Sequence, residues 1–438
     1  LQAYTTVNEV PEDIDLAIIV VNSKFVLSTI DQCNEKGIKG LCIITAGFKE
    51  TGKEGAELEK QLTEKLNEYG MRCVGPNCLG VVNTDPEISM DGCFAESLPE
   101  RGNIGFVSQS GALGGGILNI LKDLNLGFAQ FISIGNQADV NAETALEYWE
   151  NEKDVEQILL YMESIQNPAN FRKLATRISK KKPILALKAG RSAAGASAAS
   201  SHTGSLAGAD KAANALLAQS GVIREYSLKN LFSTAKVFAN CPIPKGNRVA
   251  IITNSGGPGI MATDAVCEYG MQMAKITDET KEKLRSFLPA AASVKNPIDM
   301  IASAPIEHYQ ETLKTVIADE NVDMIMVIYL PFLGLKDIDV AKAVMEIKAQ
   351  HPEKPVIGVF MTKSEFFTTL SDMKVNMPFF MYAEEAAEGF MRLDQQRKWI
   401  ARPEGKIPCY DVDRKKAESI MYNALKEDRA QLTTRESI

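Results

Sequence analysis

The chain carries three histidines, and His202 lies in a stretch with almost nothing else to anchor it. From Gly190 to Ser205, thirteen of sixteen residues are Gly, Ala or Ser. An imidazole titrates near neutral pH and can serve as base or nucleophile. On a small-residue tether it could carry a group between two places, because added loop length costs little closure entropy. The same residue also reads as a simple exposed loop histidine. Glu163 follows the apolar run Ile158–Met162, at the carboxyl end of a predicted strand. Ligand and catalytic groups collect at that edge of open α/β sheets. A carboxylate there could fix the tautomer of a histidine and stabilise its charged forms, or could be a solvated strand end.

Two strand-to-helix turns offer anion chemistry. Ser108-Gln109-Ser110-Gly111 and Asn254-Ser255-Gly256-Gly257-Pro258-Gly259 both place small residues at a predicted helix start. Free N–H groups and the positive dipole end there form a phosphate cradle, and glycine permits close approach. Taken singly, each is also an ordinary N-cap. A weaker loop signal, Gly75-Pro76-Asn77-Cys78-Leu79-Gly80, follows the predicted strand Met71–Val74.

The elements that must position these groups alternate strand and helix. Leu16–Val21 passes into a helical pattern at 24–36, and Leu41–Ile44 into a charged helix at 54–69. Continuous Val/Ile/Leu strands separated by helices predict a parallel sheet covered on both faces, so the fold class is α/β. The 438 residues suggest about three domains. Hydrophobic content of 45% with 24% charged residues excludes disorder and a fibrous repeat. Net charge −8 argues against a nucleic-acid partner. No apolar run reaches the roughly 18 residues of a membrane span. Eight cysteines without CxxC spacing give no zinc or disulfide framework and suit a reducing cytoplasm. The start at Leu1, without Met or signal peptide, is read as a piece missing upstream.

An internal repeat emerges from the landmarks. Pro99 to Asn103 and Pro244 to Asn247 punctuate the starts of two apolar strands. Each strand leads into one of the small-residue turns. S-x-x-N-x-x-D follows at 133–139 and again at 293–299, then Ile158–Met162 matches Met324–Ile328, and Lys182-Pro183 matches Lys354-Pro355. Two related flavodoxin-like domains are expected, at 98–242 and 243–400. Only the first has the histidine loop; the second has the bulkier Thr362-Lys363-Ser364-Glu365-Phe366-Phe367.

Together these stretches resemble the nucleoside-diphosphate-forming acyl-CoA synthetases, relatives of the succinyl-CoA synthetase alpha subunit. The resemblance rests on GPNCLGVVN at 75–83, GNIGFVSQSGALGGGILN at 102–119, SIGNQADVN at 133–141, ILLYMESIQNP at 158–168, LKAGRSAAGASAASSHTGSLAGAD at 187–210, NSGGPGIMATDA at 254–265 and PAAASVKNPIDM at 289–300. It implies that acyl-CoA, NDP and phosphate interconvert with a carboxylic acid, CoA and NTP through an acyl phosphate and a phosphohistidine. His202 would be the phosphohistidine and Glu163 its carboxylate. Ser108, Gln109, Ser110, Gly111, Asn254, Ser255, Gly256, Gly257 and Gly259 would hold the phosphoryl group from two sides. Asn77 and Cys78 are candidate CoA contacts, although Cys78 also reads as a buried small hydrophobe.

Against the family pattern, residues 1–97 resemble a partial Rossmann-like CoA-binding domain lacking its opening strand and glycine-rich turn. Residues 401–438 read as a linker toward an ATP-grasp domain, which would supply ATP or ADP and Mg²⁺ from the same longer chain or from a beta subunit, within a homo- or hetero-oligomer. No metal ligands are assigned in this chain. The alternative is a CoA- or acyl-CoA-sensing module fused to an acyltransferase. A dehydrogenase is disfavoured by the absence of GxGxxG with an acidic ribose partner. His308 is expected at the surface, His351 at a helix end, and Lys180-Lys181-Lys182 as a solvated helix end.

Overall fold

The computed structural model describes the chain except residues 1, 196, 198–209, 333, 374, 404, 406–410, 430 and 438. Two compact units result, Leu1–Ile400 and Ala401–Ile438. Within the first, three sheets form. β1 (Leu16–Ile19), β2 (Gly40–Ile43) and β3 (Arg72–Val74) pair in parallel in that order. The helices Ser23–Glu35 and Lys53–Tyr69 bury Val26, Ile30, Leu62 and Leu66 against them.

The central sheet has seven strands. In chain order they are β4 (Gly80–Asn83), β5 (Met90–Cys93), β6 (Arg101–Ser108), β7 (Phe128–Ser133), β8 (Gln157–Met162), β9 (Ile184–Lys188) and β10 (Ile223–Glu225). In space they run β10-β9-β8-β6-β7-β4-β5. The third sheet is built from β11 (Arg248–Thr253), β12 (Gln272–Met273), β13 (Ile298–Asp299), β14 (Met324–Tyr329), β15 (Val356–Phe360) and β16 (Phe379–Phe380). Its path is β12-β11-β14-β15-β16, with β13 also on β11. Numbered within each repeat, both β7-β6-β8-β9-β10 and β12-β11-β14-β15-β16 follow the flavodoxin order 2-1-3-4-5. Strands β8, β14 and β15 are buried nearly throughout, and β6 from Ile104 onward, as their apolar sequences require.

Two sequence expectations need revision. The first domain was expected to run to residue 97, yet β4 and β5 belong to the central sheet. β4 pairs antiparallel with β7, Val81 opposite Ile132, and β5 extends the edge. Gly80 makes that hairpin possible: its φ is +123°, and a Cβ there would stand 2.1 Å from the Gly92 carbonyl oxygen. The S-x-x-N-x-x-D landmarks are not structurally equivalent either. Ser133 pairs opposite Ser108, whereas Asp299 pairs opposite Thr253, the counterpart of Ser108.

The helix Ala383–Ala401 ties the two repeats together. Its Arg392 meets the fully buried Glu225 carboxylate at 2.9 Å, and Gln396 donates to the Ser179 carbonyl at 2.7 Å. The expected solvated lysines are engaged as well. Lys180 lies over the Trp399 ring at 4.8 Å, Lys181 pairs with Glu150 at 2.9 Å, and Lys182 donates to the Trp149 carbonyl at 2.6 Å. In the second unit, the stretch expected as linker contains a helix, Arg414–Lys426, capped by Asp413.

Candidate functional site

At the carboxyl edge of the central sheet, β6 ends in a locked turn. Ser108 Oγ donates to the Ser110 carbonyl at 2.7 Å and accepts from the Ser110 N–H at 3.2 Å. Ser110 then caps the helix Gly111–Ile120, its Oγ accepting from Leu113 N–H at 3.3 Å. Gln109, between them, reaches across to the end of β8. Its Oε1 accepts from Glu163 N–H at 2.6 Å and Ser164 N–H at 3.0 Å, while its Nε2 donates to the Ser164 carbonyl at 2.7 Å. The amide is thus engaged in holding the segment that bears the Glu163 carboxylate, rather than only facing an anion.

The second repeat reproduces this turn with different side chains. Thr253 Oγ1 donates to the Ser255 carbonyl at 2.9 Å and accepts from Ser255 N–H at 3.0 Å. Asn254 Oδ1 accepts from Leu330 N–H at 3.0 Å, and its Nδ2 donates to the Leu330 carbonyl at 2.8 Å. Asparagine is one methylene shorter than glutamine, so it closes on one residue instead of two. Leu330 therefore occupies the place of Glu163. The following helix, Gly256–Glu268, begins at Ser255, which makes no side-chain cap. A Cβ at Gly257 would meet nothing within 4 Å, whereas one at Gly259 would stand 3.2 Å from Thr253 Cγ2. The first turn of this helix thus has open space at Gly257 and close packing at Gly259.

Glu163 is 9% exposed. Burial, and then the Glu163 charge, push the Tyr161 hydroxyl up from its ordinary pKa. Sequence reasoning overlooked Lys188. It ends β9 opposite Met162, is 4% exposed and donates to the Ala189 carbonyl at 2.6 Å. Burial pushes its pKa down, against the opposing charges of Asp210 and Glu163. Nearby, Arg224 is 6% exposed and ion-paired with Asp210, and it lies 5.0 Å from the Tyr226 ring centre. The signal for Lys188 was available: like Glu163, it is a charge closing an apolar parallel strand. His202 lies outside the described residues, as does Ser205, where a helix start was expected. The described helix there is Asp210–Gln219.

Asn77 takes φ +56°, and its Nδ2 donates to Asn136 Oδ1 at 3.3 Å. Asn136 in turn donates to Glu50 at 2.6 Å and Glu59 at 2.8 Å, linking the first sheet's helices to the end of β7. Burial raises the Glu50 pKa, but hydrogen bonds led by that from Asn136 outweigh it and hold the carboxyl below its usual range. Cys78 is 4% exposed, with its sulfur 3.9 Å from that of Cys42. The neighbouring Cys42 thiol and burial push the Cys78 thiol far up, which agrees with a buried small side chain. Gly111 packs against the same loop: a Cβ there would lie 3.3 Å from Leu79 N. His308 is only partly exposed, its Nδ1 buried and without a hydrogen bond, and His351 caps the helix Asp337–Gln350 as expected.

Comparison with known proteins agrees with this architecture. Residues 1–84 match the CoA binding domain, 101–238 the succinyl-CoA ligase like flavodoxin domain and 249–405 the ligase-CoA domain. The chain is 43% identical over 403 residues to acetate–CoA ligase [ADP-forming] II subunit alpha of Pyrococcus furiosus, covering 91% of this chain and 87% of that one. It is 36% identical over 440 residues to 4-hydroxybutyrate–CoA ligase [ADP-forming] of Nitrosopumilus maritimus, spanning 99% of this chain but 62% of that protein. Among solved structures, acetyl-coenzyme A synthetase 1 of Ca. Korarchaeum cryptofilum, in complex with phosphate and ADP, superposes with a TM-score of 0.86 at 31% identity, over 92% of this chain and 86% of that one. The alternative of a CoA sensor fused to an acyltransferase gains no support from these relatives. Matched in sequence and fold along most of its length, the chain belongs to the nucleoside-diphosphate-forming acyl-CoA synthetases.

Proposed function

We propose that this chain performs the acyl and phosphoryl half of the family's reaction, with His202 as the carrier. Phosphate oxygen attacks the thioester carbonyl of acyl-CoA, forming an acyl phosphate and releasing the CoA thiolate. The His202 imidazole then attacks phosphorus, and the carboxylic acid leaves with the bridging oxygen. NDP finally takes the phosphoryl group, giving NTP and restoring the imidazole. Phosphoryl transfer is won mainly by positioning and charge stabilisation.

In this reading Glu163 orients His202 and stabilises its cationic forms. The backbone N–H groups at Ser110-Gly111 and Ser255-Gly256-Gly257 receive phosphoryl oxygens. Gln109 and Asn254 keep the two turns in register with their neighbouring strands. Asn77 contacts CoA. NTP, NDP and Mg²⁺ belong to an ATP-grasp domain or subunit. The substrate is a carboxylic acid or its acyl-CoA, with no nucleic acid or membrane involved.

One observation carries the proposal. The two repeats share the same turn and grip, yet a carboxylate follows the grip only in the repeat whose loop bears the histidine. The assembled enzyme, incubated with γ-³²P-labelled NTP, should acquire acid-labile phosphate. His202→Ala should abolish both label and turnover; a label persisting in that variant would move the carrier elsewhere.

A further inference from the structure

A cavity lies where the two flavodoxin-like repeats meet, away from the turns just described. It is walled by residues that include Leu124, Leu228, Phe232, Phe367 and Phe380, with a volume of about 390 Å³. That volume is in the range of small-molecule sites, roughly 300–1,000 Å³. Ile120, at the closing end of the helix Gly111–Ile120, forms part of its rim. At 1.5 Å rise per residue, that helix separates the rim from the Ser110 turn by about 15 Å.

One wall carries charge. Along the helix Leu228–Asn240, Lys229 and Lys236 face the cavity on either side of Phe232. Lys229 is satisfied by Glu385 at 2.8 Å. Lys236 makes no ion pair or hydrogen bond through its ammonium among the described residues; it lies 5.8 Å from the Phe380 ring centre. Burial pushes its pKa down, with the charge of Glu385, which also lines the cavity, opposing. An apolar cavity with one partly buried ammonium that makes no ion pair or hydrogen bond among the described residues suits a ligand with a hydrocarbon body and a single anionic end, because a carboxylate there would gain a charge-assisted hydrogen bond while its hydrocarbon leaves water.

We propose that this inter-repeat cavity binds an amphiphilic carboxylate, its hydrocarbon among Leu124, Leu228, Phe232 and Phe367 and its carboxylate on Lys236. The site does not depend on the reading of His202.

The test uses ¹³C-carboxyl octanoate as probe, titrated into the full chain and followed by NMR. Saturable binding is expected, with a dissociation constant on the order of 10⁻³ M or tighter. Lys236→Gln should weaken it by about tenfold or more, the loss expected for a charged hydrogen bond. Octanol should bind weaker than octanoate by a similar factor. Ile120→Trp, placed at the exposed rim, should block entry without touching the core. His202→Ala should leave binding unchanged. The proposal is overturned if octanoate fails to saturate, if Lys236→Gln or octanol matches the parent pair, or if His202→Ala removes binding, which would place the probe at the phosphoryl centre instead.

Discussion

Gln109 Oε1 stands 2.6 Å from the backbone nitrogen of Glu163, so the side chain that follows β6 dictates where the carboxylate after β8 begins. Its counterpart, Asn254, fixes Leu330 in the same manner.

Gln109→Leu should therefore leave the N–H groups of Glu163 and Ser164 without partners, at a cost of about 1–3 kcal/mol in stability. Asn254→Leu should cost a similar amount. Turnover should separate the two: the Gln109 variant displaces the Glu163 segment and should lose more activity than its sister. Denaturant midpoints and kcat for both variants would check this, and equal turnover losses would count against a positioning role for Gln109.

Glu163→Gln keeps the size of the side chain and the backbone grip while removing the charge. It should fold normally and slow phosphoryl transfer about 10²-fold or more, the scale of a lost acid–base or charge-stabilising group. Rapid-quench measurement of phosphoenzyme formation gives the rate, and near-normal transfer would make the carboxylate a bystander.

Gly257 separates folding from anion binding. Since an added Cβ meets nothing there, Gly257→Ala should retain or slightly gain stability, by up to about 1 kcal/mol from reduced chain entropy. If its N–H receives phosphate, the same change should raise KM for phosphate about tenfold with little change in KM for acyl-CoA. An unaltered phosphate KM would remove Gly257 from the contact set.

Glu150 should leave a mark on acid stability. Hydrogen bonds from Arg177 and then Lys181 hold its pKa down at about 2. A carboxylate depressed in the folded state contributes stability that is fully present above its unfolded value, near 4.5, and is lost as pH falls toward 2. Both cations are substantially exposed, so solvent screening reduces the contribution to about 1 kcal/mol. Urea midpoints for the parent and Glu150→Gln should converge over that window; a constant gap between them would refute the coupling.

Gly221 adopts φ +70°, and a Cβ there would fall 2.0 Å from Trp399 Cε2. Gly221→Ala should cost about 2–4 kcal/mol, combining left-handed strain with overpacking. Thermal denaturation would show it, and a change below about 0.5 kcal/mol would mean that Trp399 moves aside freely.

The sequence was most legible where one segment decides its own structure. Unbroken runs such as Met324–Ile328 announce buried parallel strands, and the paired turns revealed the duplication. The hairpin from Gly80 to Cys93 was misassigned because its alternating, polar-interrupted residues become strand only through β7, nearly fifty residues later. Matching Asn136 with Asn296 failed for a related reason. Asn136 answers to Glu50 and Glu59, while Asn296 accepts from Ile251 N–H within its own sheet. Lys188 and the bracing role of Gln109 depend on neighbouring strand ends, which sequence spacing does not measure.

The buried Glu225–Arg392 pair has a mechanical consequence. Parting the two repeats there would separate the Arg392 guanidinium from a carboxylate with no solvent exposure, and breaking a buried pair is costly. If His202 carries a phosphoryl group as proposed, the small-residue loop rather than a parting of the two repeats would then have to supply the movement.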